Sequence, residues 1–188
     1  MRYRVHDDAM TSLRIIELFA DPEPTPAQKQ EILLRLLFVD PAGVVAATAD
    51  LGGLLTSIVE QTTGLDISAG GDGRHEEPVF DWEQDEPYIR ASLFAAYGRP
   101  LEEIAEELTY RDLCELIGMV PYETPMGQAL HYRTGKPPKL TKHNGEQVEE
   151  WRKRARFWKL KGRGGGEGSM AGMDAKATDA FAAFKGRA

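Results

Sequence analysis

Residues 80–98 read Phe-Asp-Trp-Glu-Gln-Asp-Glu-Pro-Tyr-Ile-Arg-Ala-Ser-Leu-Phe-Ala-Ala-Tyr-Gly, and this stretch decides the fold class. Asp85 suits a helix N-cap, and Glu86 and Pro87 suit a first turn, where an acid meets the exposed amides and a missing N–H costs nothing. Gly98 is a natural terminator just past the last turn. A helix of about three turns is predicted between them. Ile89, Leu93, Ala96 and Tyr97 recur at i, i+4, i+7 and i+8, which places them on one apolar face, with Arg90 and Ser92 opposite.

The same punctuation recurs along the chain. Asp8 can cap a helix reaching about Ala20, with Leu13, Ile16 and Phe19 on its inner face. Thr25-Pro26-Ala27-Gln28 has the form of a capping box with Pro at the first helical position, ahead of a helix burying Ile32, Leu33, Leu36 and Leu37. Asp40-Pro41 opens a third helix, with Val44, Ala47, Leu51, Leu54 or Leu55, and Ile58 on one stripe and Gly52-Gly53 in its middle, where the pair would kink it or admit a neighbour. Further helices are predicted over 101–108, from the Thr109 cap through Met119, over 124–131, and over 145–161. Tyr3 to Val5 is a short extended lead-in. The fold class is therefore all-α, a bundle of about seven to eight helices. They fall into an N-terminal group (1–60) and a C-terminal group (80–161), joined by a Gly- and Asp-rich loop (61–79) expected to be flexible and followed by a tail (162–188) expected to be disordered.

The chain has 188 residues, 41% hydrophobic and 28% charged, which bounds it to one core with an appendage. No apolar run approaches the roughly 20 residues that span a bilayer, and Met1-Arg2-Tyr3-Arg4 leads into polar sequence rather than a secretory core. The expectation is a protein without membrane association that stays in the cytoplasm. The lone Cys114 excludes an internal disulfide framework and sits among Leu113 and Leu116 as a small buried hydrophobe. His6, His75, His131 and His143 lack the spacing of a metal site. Glu102, Glu103, Glu106 and Glu107 share a helix face, but no nucleophile or third ligand accompanies them. Gly70 to Gly73 lacks the Lys-Ser/Thr of a phosphate loop. No catalytic, cofactor or metal site is assigned, and the chain is expected not to be an enzyme.

The net charge of −7 conceals a segregation. Acids dominate from residue 60 to 110, whereas bases dominate from Arg133 to Arg163, so the chain can pair head to tail with itself or with another copy. In the basic helix, Val148, Trp151, Ala155 and Trp158 form one stripe among Arg152, Lys153, Arg154, Arg156 and Lys159. Trp151 and Trp158 can belong to the protein's own core, anchor the helix in a partner's groove, or stack on single-stranded nucleic acid; the overall acidity makes nucleic acid the weakest of the three.

Taken in order, these segments resemble a bacteriophage family, the Gp15-like proteins encoded near the tail tape measure gene of long-tailed phages and read as tail assembly chaperones. The likeness runs over residues 2–160. It includes Asp21-Pro22-Glu23-Pro24-Thr25, the acidic aromatic run before Ala95-Ala96-Tyr97-Gly98, the helix with Leu113, Leu116, Ile117 and Gly118, and His131-Tyr132-Arg133. Thr109-Tyr110-Arg111-Asp112 departs from it, standing where similar proteins often have a Trp pair. The resemblance implies a chaperone that binds the tape measure protein and keeps it soluble for tail tube assembly, in the host cytoplasm and absent from the mature virion. It also implies a homo-oligomer, and a longer frameshifted form of the chain is compatible with Gly164-Gly165-Gly166. Tyr88, Ile89, Leu93 and Tyr97 are then candidate partner-binding residues on the central helix, with Trp151 and Trp158 as a docking stripe. The alternative is a structural head-to-tail connector or completion protein of the virion.

Overall fold

Helix caps written into the sequence set most of the boundaries in the computed structural model, which describes residues 3–63 and 79–161. Helix α1 (Ala9–Ala20) starts where the Asp8 carboxylate accepts from the Thr11 amide at 2.8 Å and from the Thr11 hydroxyl at 2.9 Å. Helix α2 (Pro26–Leu37) begins with the complete Thr25/Gln28 capping box, and α3 (Pro41–Ala47) begins at the Asp40 cap. They are followed by α4 (Leu51–Thr63), α5 (Trp82–Tyr97), α6 (Leu101–Glu107), α7 (Tyr110–Gly118), α8 (Pro125–Thr134) and α9 (Gly145–Trp158). Every regular element among the described residues is helical; the extended lead-in makes only isolated bridges, Val5 with Phe38 and Asp8 with Thr109.

Helix α1 is the axis of the bundle. It packs against α2, α4, α6 and α7, and Ala9, Ser12, Ile15, Ile16, Leu18 and Phe19 are buried among them. A helix apolar around most of its circumference needs neighbours on several sides, and α1 has four. Its start is tied down by the Ala9 amide donating to the Leu108 carbonyl at 2.7 Å. Through α1 the two sequence groups share one hydrophobic core, running from Leu33, Leu37, Leu55 and Val59 to Ile89, Leu93, Leu113, Ile117 and Met126. Helix α8 packs on α5, and α9 packs on α8 as the outermost layer.

Four expectations need correction. The third helix is broken at 48–50, because Asp50 caps a new helix by accepting from the Gly53 amide at 2.8 Å. Gly52-Gly53 therefore lies in a first turn, where a Cβ at Gly53 would stand 2.3 Å from the Asp50 carboxylate, and not at a mid-helix kink. Helix α5 starts four residues early: Asp81 is its N-cap, which leaves Pro87 inside the helix and frees Asp85 for another role. Ser92 is buried, not solvent-facing, because its Oγ accepts from the Met126 amide at 2.9 Å where α8 meets α5. On α2 the buried residues are Lys29, Leu33, Leu34 and Leu37, while Ile32 is 38% exposed. Of the expected flexible loop, residues 64–78 lie outside the described residues, and so does the whole of the expected disordered tail.

Gly98 has φ of 69°, with its amide donating to the Phe94 carbonyl at 2.9 Å, so it is the left-handed terminator the sequence predicts. Gly98→Ala should lower unfolding free energy by about 1 kcal/mol from backbone strain alone, since no atom lies within 4 Å of the added Cβ. Gly118→Ala, equally uncrowded but without positive φ, should raise stability by about 0.5 kcal/mol. Urea titration of the two variants checks the opposite signs. Burial pushes the Cys114 thiol up to about 11, so at pH 8 it should react with a disulfide reagent about 100-fold more slowly than in the unfolded chain.

Candidate functional site

The N-terminal turn of α5 is built around a buried charge. The Asp85 side chain is 1% exposed, and its carboxylate takes both arms of the Arg133 guanidinium, at 2.6 and 2.8 Å, from the last turn of α8. The same carboxylate accepts from the Asp81 amide at 2.9 Å, while Asp81 in turn caps Gln84. Arg133 has donors left over. Its Nε reaches the Trp158 carbonyl at 2.7 Å, and an Nη atom reaches the Val79 carbonyl at 3.2 Å. Nearby, the Gln84 side chain brackets Lys161, accepting from its amide at 2.9 Å and donating to its carbonyl at 3.0 Å. One ion pair and one amide thus gather the chain at residues 79, 85, 133, 158 and 161.

The expected partner-binding residues separate into three kinds. Ile89 and Leu93 are fully buried, so they pack the core and offer no surface to a partner. Tyr88, Trp151 and Trp158 are half-buried in ring contacts within the chain: Tyr88 meets Trp158 edge to face at 5.2 Å, and Trp151 meets Tyr132 at 5.7 Å. The two tryptophans therefore hold α9 to α5 and α8. Tyr97 is 41% exposed, and the exposed aromatic of α9 is Phe157 at 71%. The glutamate face of α6 is a ladder of surface ion pairs. Arg90 joins Glu86 and Glu102, and Arg99 joins Glu103 and Glu107. The arginine hydrogen bonds hold the Glu102 and Glu107 carboxyls below their ordinary range. Among the described residues no group of three or more His, Cys, Asp or Glu is placed to hold a metal ion, and no helix is long and apolar enough to cross a membrane.

A groove that the sequence did not mark runs between α1 and α5. It has a volume of about 780 Å³; Met10, Leu13, Ile16, Ala20, Trp82 and Leu101 form its apolar lining. Its charged lining is Glu17, Asp21, Asp81, Glu83 and Glu86 against Arg14 and Arg90. Trp82 forms a fixed wall, because its indole N–H donates to the Tyr110 hydroxyl at 2.7 Å and its ring meets Phe80 edge to face at 5.3 Å. The only signal in the sequence was indirect: Met10 and Leu13 extend the apolar circumference of α1 beyond what one packing face needs.

A family model described as Bacteriophage Gp15 protein matches residues 1–160. The chain belongs to the bacteriophage Gp15 protein family. No curated protein and no solved structure matches it. The Gp15 match takes in every described helix, the Asp85–Arg133 pair and the α1–α5 groove, and it stops one residue short of the Gln84–Lys161 bridge. Membership in a Gp15-like phage family was the expectation from the ordered motifs.

Removing one partner of a buried, hydrogen-bonded pair leaves the other charge without compensation. Asp85→Asn or Arg133→Met should therefore cost about 3 kcal/mol in urea unfolding. Arg35→Met, which removes an exposed i, i+4 pair with Glu31, should change stability by no more than about 0.5 kcal/mol. The double variant Asp85→Asn/Arg133→Met should cost clearly less than the sum of its singles.

Proposed function

We propose that this Gp15 family member is a tail assembly chaperone that binds the tape measure protein and keeps it soluble until the tail tube polymerises. The α1–α5 groove carries this reading: an apolar trough with an acidic rim suits one face of an amphipathic helix bearing basic flanks. The family membership and the ordered resemblance to tail assembly chaperones support the role, and the tape measure protein is a long helical client. Trp151 and Trp158 are a poorer docking stripe than the groove, because their rings already meet Tyr132 and Tyr88.

In this reading each copy contacts a short stretch of the client weakly, and many copies along one chain supply avidity. Association between copies, through the acidic α5–α6 face and the basic α9 face, would add to it. The role is non-catalytic and belongs to the host cytoplasm, with the protein leaving before the virion matures.

Co-expression with the tape measure protein of the same phage, followed by affinity purification and light scattering, tests this. The expected result is a soluble complex with several copies per client. Glu17→Lys/Glu83→Lys, which reverses two exposed rim charges and leaves the core intact, should reduce recovered client at least about tenfold, whereas Phe157→Ala should leave it near the parent level. A tape measure protein that remains soluble without association, with this protein present in purified virions, would overturn the reading in favour of a head-to-tail connector.

A further inference from the structure

We propose that a second copy of this chain occupies the α1–α5 groove while no client is bound, entering with the basic outer face of its α9; this rests on the groove being the docking surface named above. Charge and one unpartnered ring select this occupant. From Trp151 to Lys161 the chain carries six bases and no acid. Of the α9 bases, Arg154 is paired, to Glu150, whereas Arg152, Lys153 and Arg156 make no ion pair among the described residues. Phe157, 71% exposed, follows Lys153 at i+4 and adjoins Arg156, on the side of α9 away from the buried Val148. Glu146 and Glu149 take the outer face of the first turns, so the contact is confined to the second half of the helix.

The groove has the opposite chemistry. Among the described residues its lining holds Glu17, Asp21, Asp81, Glu83 and Glu86 against Arg14 and Arg90, and Arg90 is already held by Glu86 and Glu102. Asp81 is committed to the α5 cap. Glu17 and Glu83, exposed and one on each wall, make no ion pair among the described residues. The apolar lining, with Met10, Leu13 and Trp82, gives the Phe157 ring a place to bury between them. Two turns of α9 span about 11 Å, within the roughly 18 Å of the 12-residue α1 that forms the long wall.

The fold makes the contact intermolecular. On α5, Trp82, Glu83, Glu86 and Arg90 face the groove, whereas Gln84, Asp85, Tyr88 and Ser92 meet α8, α9 or Lys161 just past it. The groove and α9 therefore lie on opposite sides of α5, and a copy cannot fill its own groove without parting Trp158 from Tyr88 and Arg133. The contact is heterologous, one helix into one groove, and it covers the apolar lining in copies that have no client. A long client presents many basic-flanked helices on one chain and displaces the self-contact by avidity, so the pairing acts while client is scarce. The α9 faces it releases are then available to neighbouring copies on the same client.

Sedimentation velocity of the full chain without client tests this. The average mass of the parent should rise with concentration and fall toward the monomer as salt is added, because screening weakens exposed charge pairs. Arg156→Gln/Phe157→Ser removes the helix side of the contact and Glu17→Lys/Glu83→Lys the groove side; each alone should weaken association at least about tenfold. Mixed in equal amounts, the two variants should form a one-to-one pair with the parent's affinity, because one keeps its groove and the other its α9. That pair also shows that both variants are folded. A mixture no more associated than its components overturns the proposal, as does either variant associating as the parent does. A parent that is monomeric up to about 1 mM overturns it too. The two readings fail separately. A mixed pair without tape measure association sinks the chaperone role alone, and tape measure association by a parent that never pairs sinks the self-contact alone.

Discussion

A guanidinium taken out of water has to be given partners for its donors, and in this protein that requirement organises the periphery of the bundle. Arg133 sits at the end of α8 with Asp85 beneath it and the Trp158 and Val79 carbonyls beside it. Three segments distant in sequence must converge for these bonds to form together. A buried ion pair gives up hydration on both charges, so its contribution lies less in net stability than in the arrangement it permits. The arrangement seen satisfies Asp85, Arg133 and the Asp81 amide at once.

The consequences reach the surface. Because Asp85 is committed inward, the N-terminal turn of α5 is capped by Asp81, and the helix gains its first turn with Trp82 at the head. Trp82, fixed by Tyr110 and Phe80, becomes the wall that faces α1. Helix α1 is held by α2, α4, α6 and α7, and among the described residues Met10 and Leu13 line the groove. The groove is thus a by-product of an axis too apolar for its neighbours to cover completely. The acids along its rim keep it in water without closing it. On the opposite side of α5, α8 and α9 form a closed layer in which Tyr88, Tyr132, Trp151 and Trp158 satisfy one another.

Much of the helical architecture was legible in residue order, because caps are local. Asp8, Thr25, Asp40, Thr109 and Thr124 each bond to an amide three residues on, and such a signal needs no knowledge of the rest of the chain. Where two candidate caps lay within one stretch, local reading failed. Asp81 and Asp85 both precede the α5 stripe, and only Arg133, 48 residues away, decides that Asp85 turns inward. Asp50 was overlooked for a related reason, since the apolar stripe on either side of it was continuous and the break is made by a single carboxylate.

The sequence by itself determined the all-α class, most of the helix boundaries, the left-handed stop at Gly98, the split into an acidic middle and a basic end, and membership in the phage family. These depend on contacts within one helical turn, on composition, or on ordered motifs. Tertiary structure decided the fate of individual side chains. Ile89 and Leu93 went to the core, Trp151 and Trp158 to the joints of α9, and Arg133, read as the first base of the basic segment, became the buried partner of Asp85. It also made the α1–α5 groove, which belongs to neither helix alone. Periodicity states which residues share a face, but whether a face meets the core, a neighbour or water depends on what arrives from elsewhere in the chain.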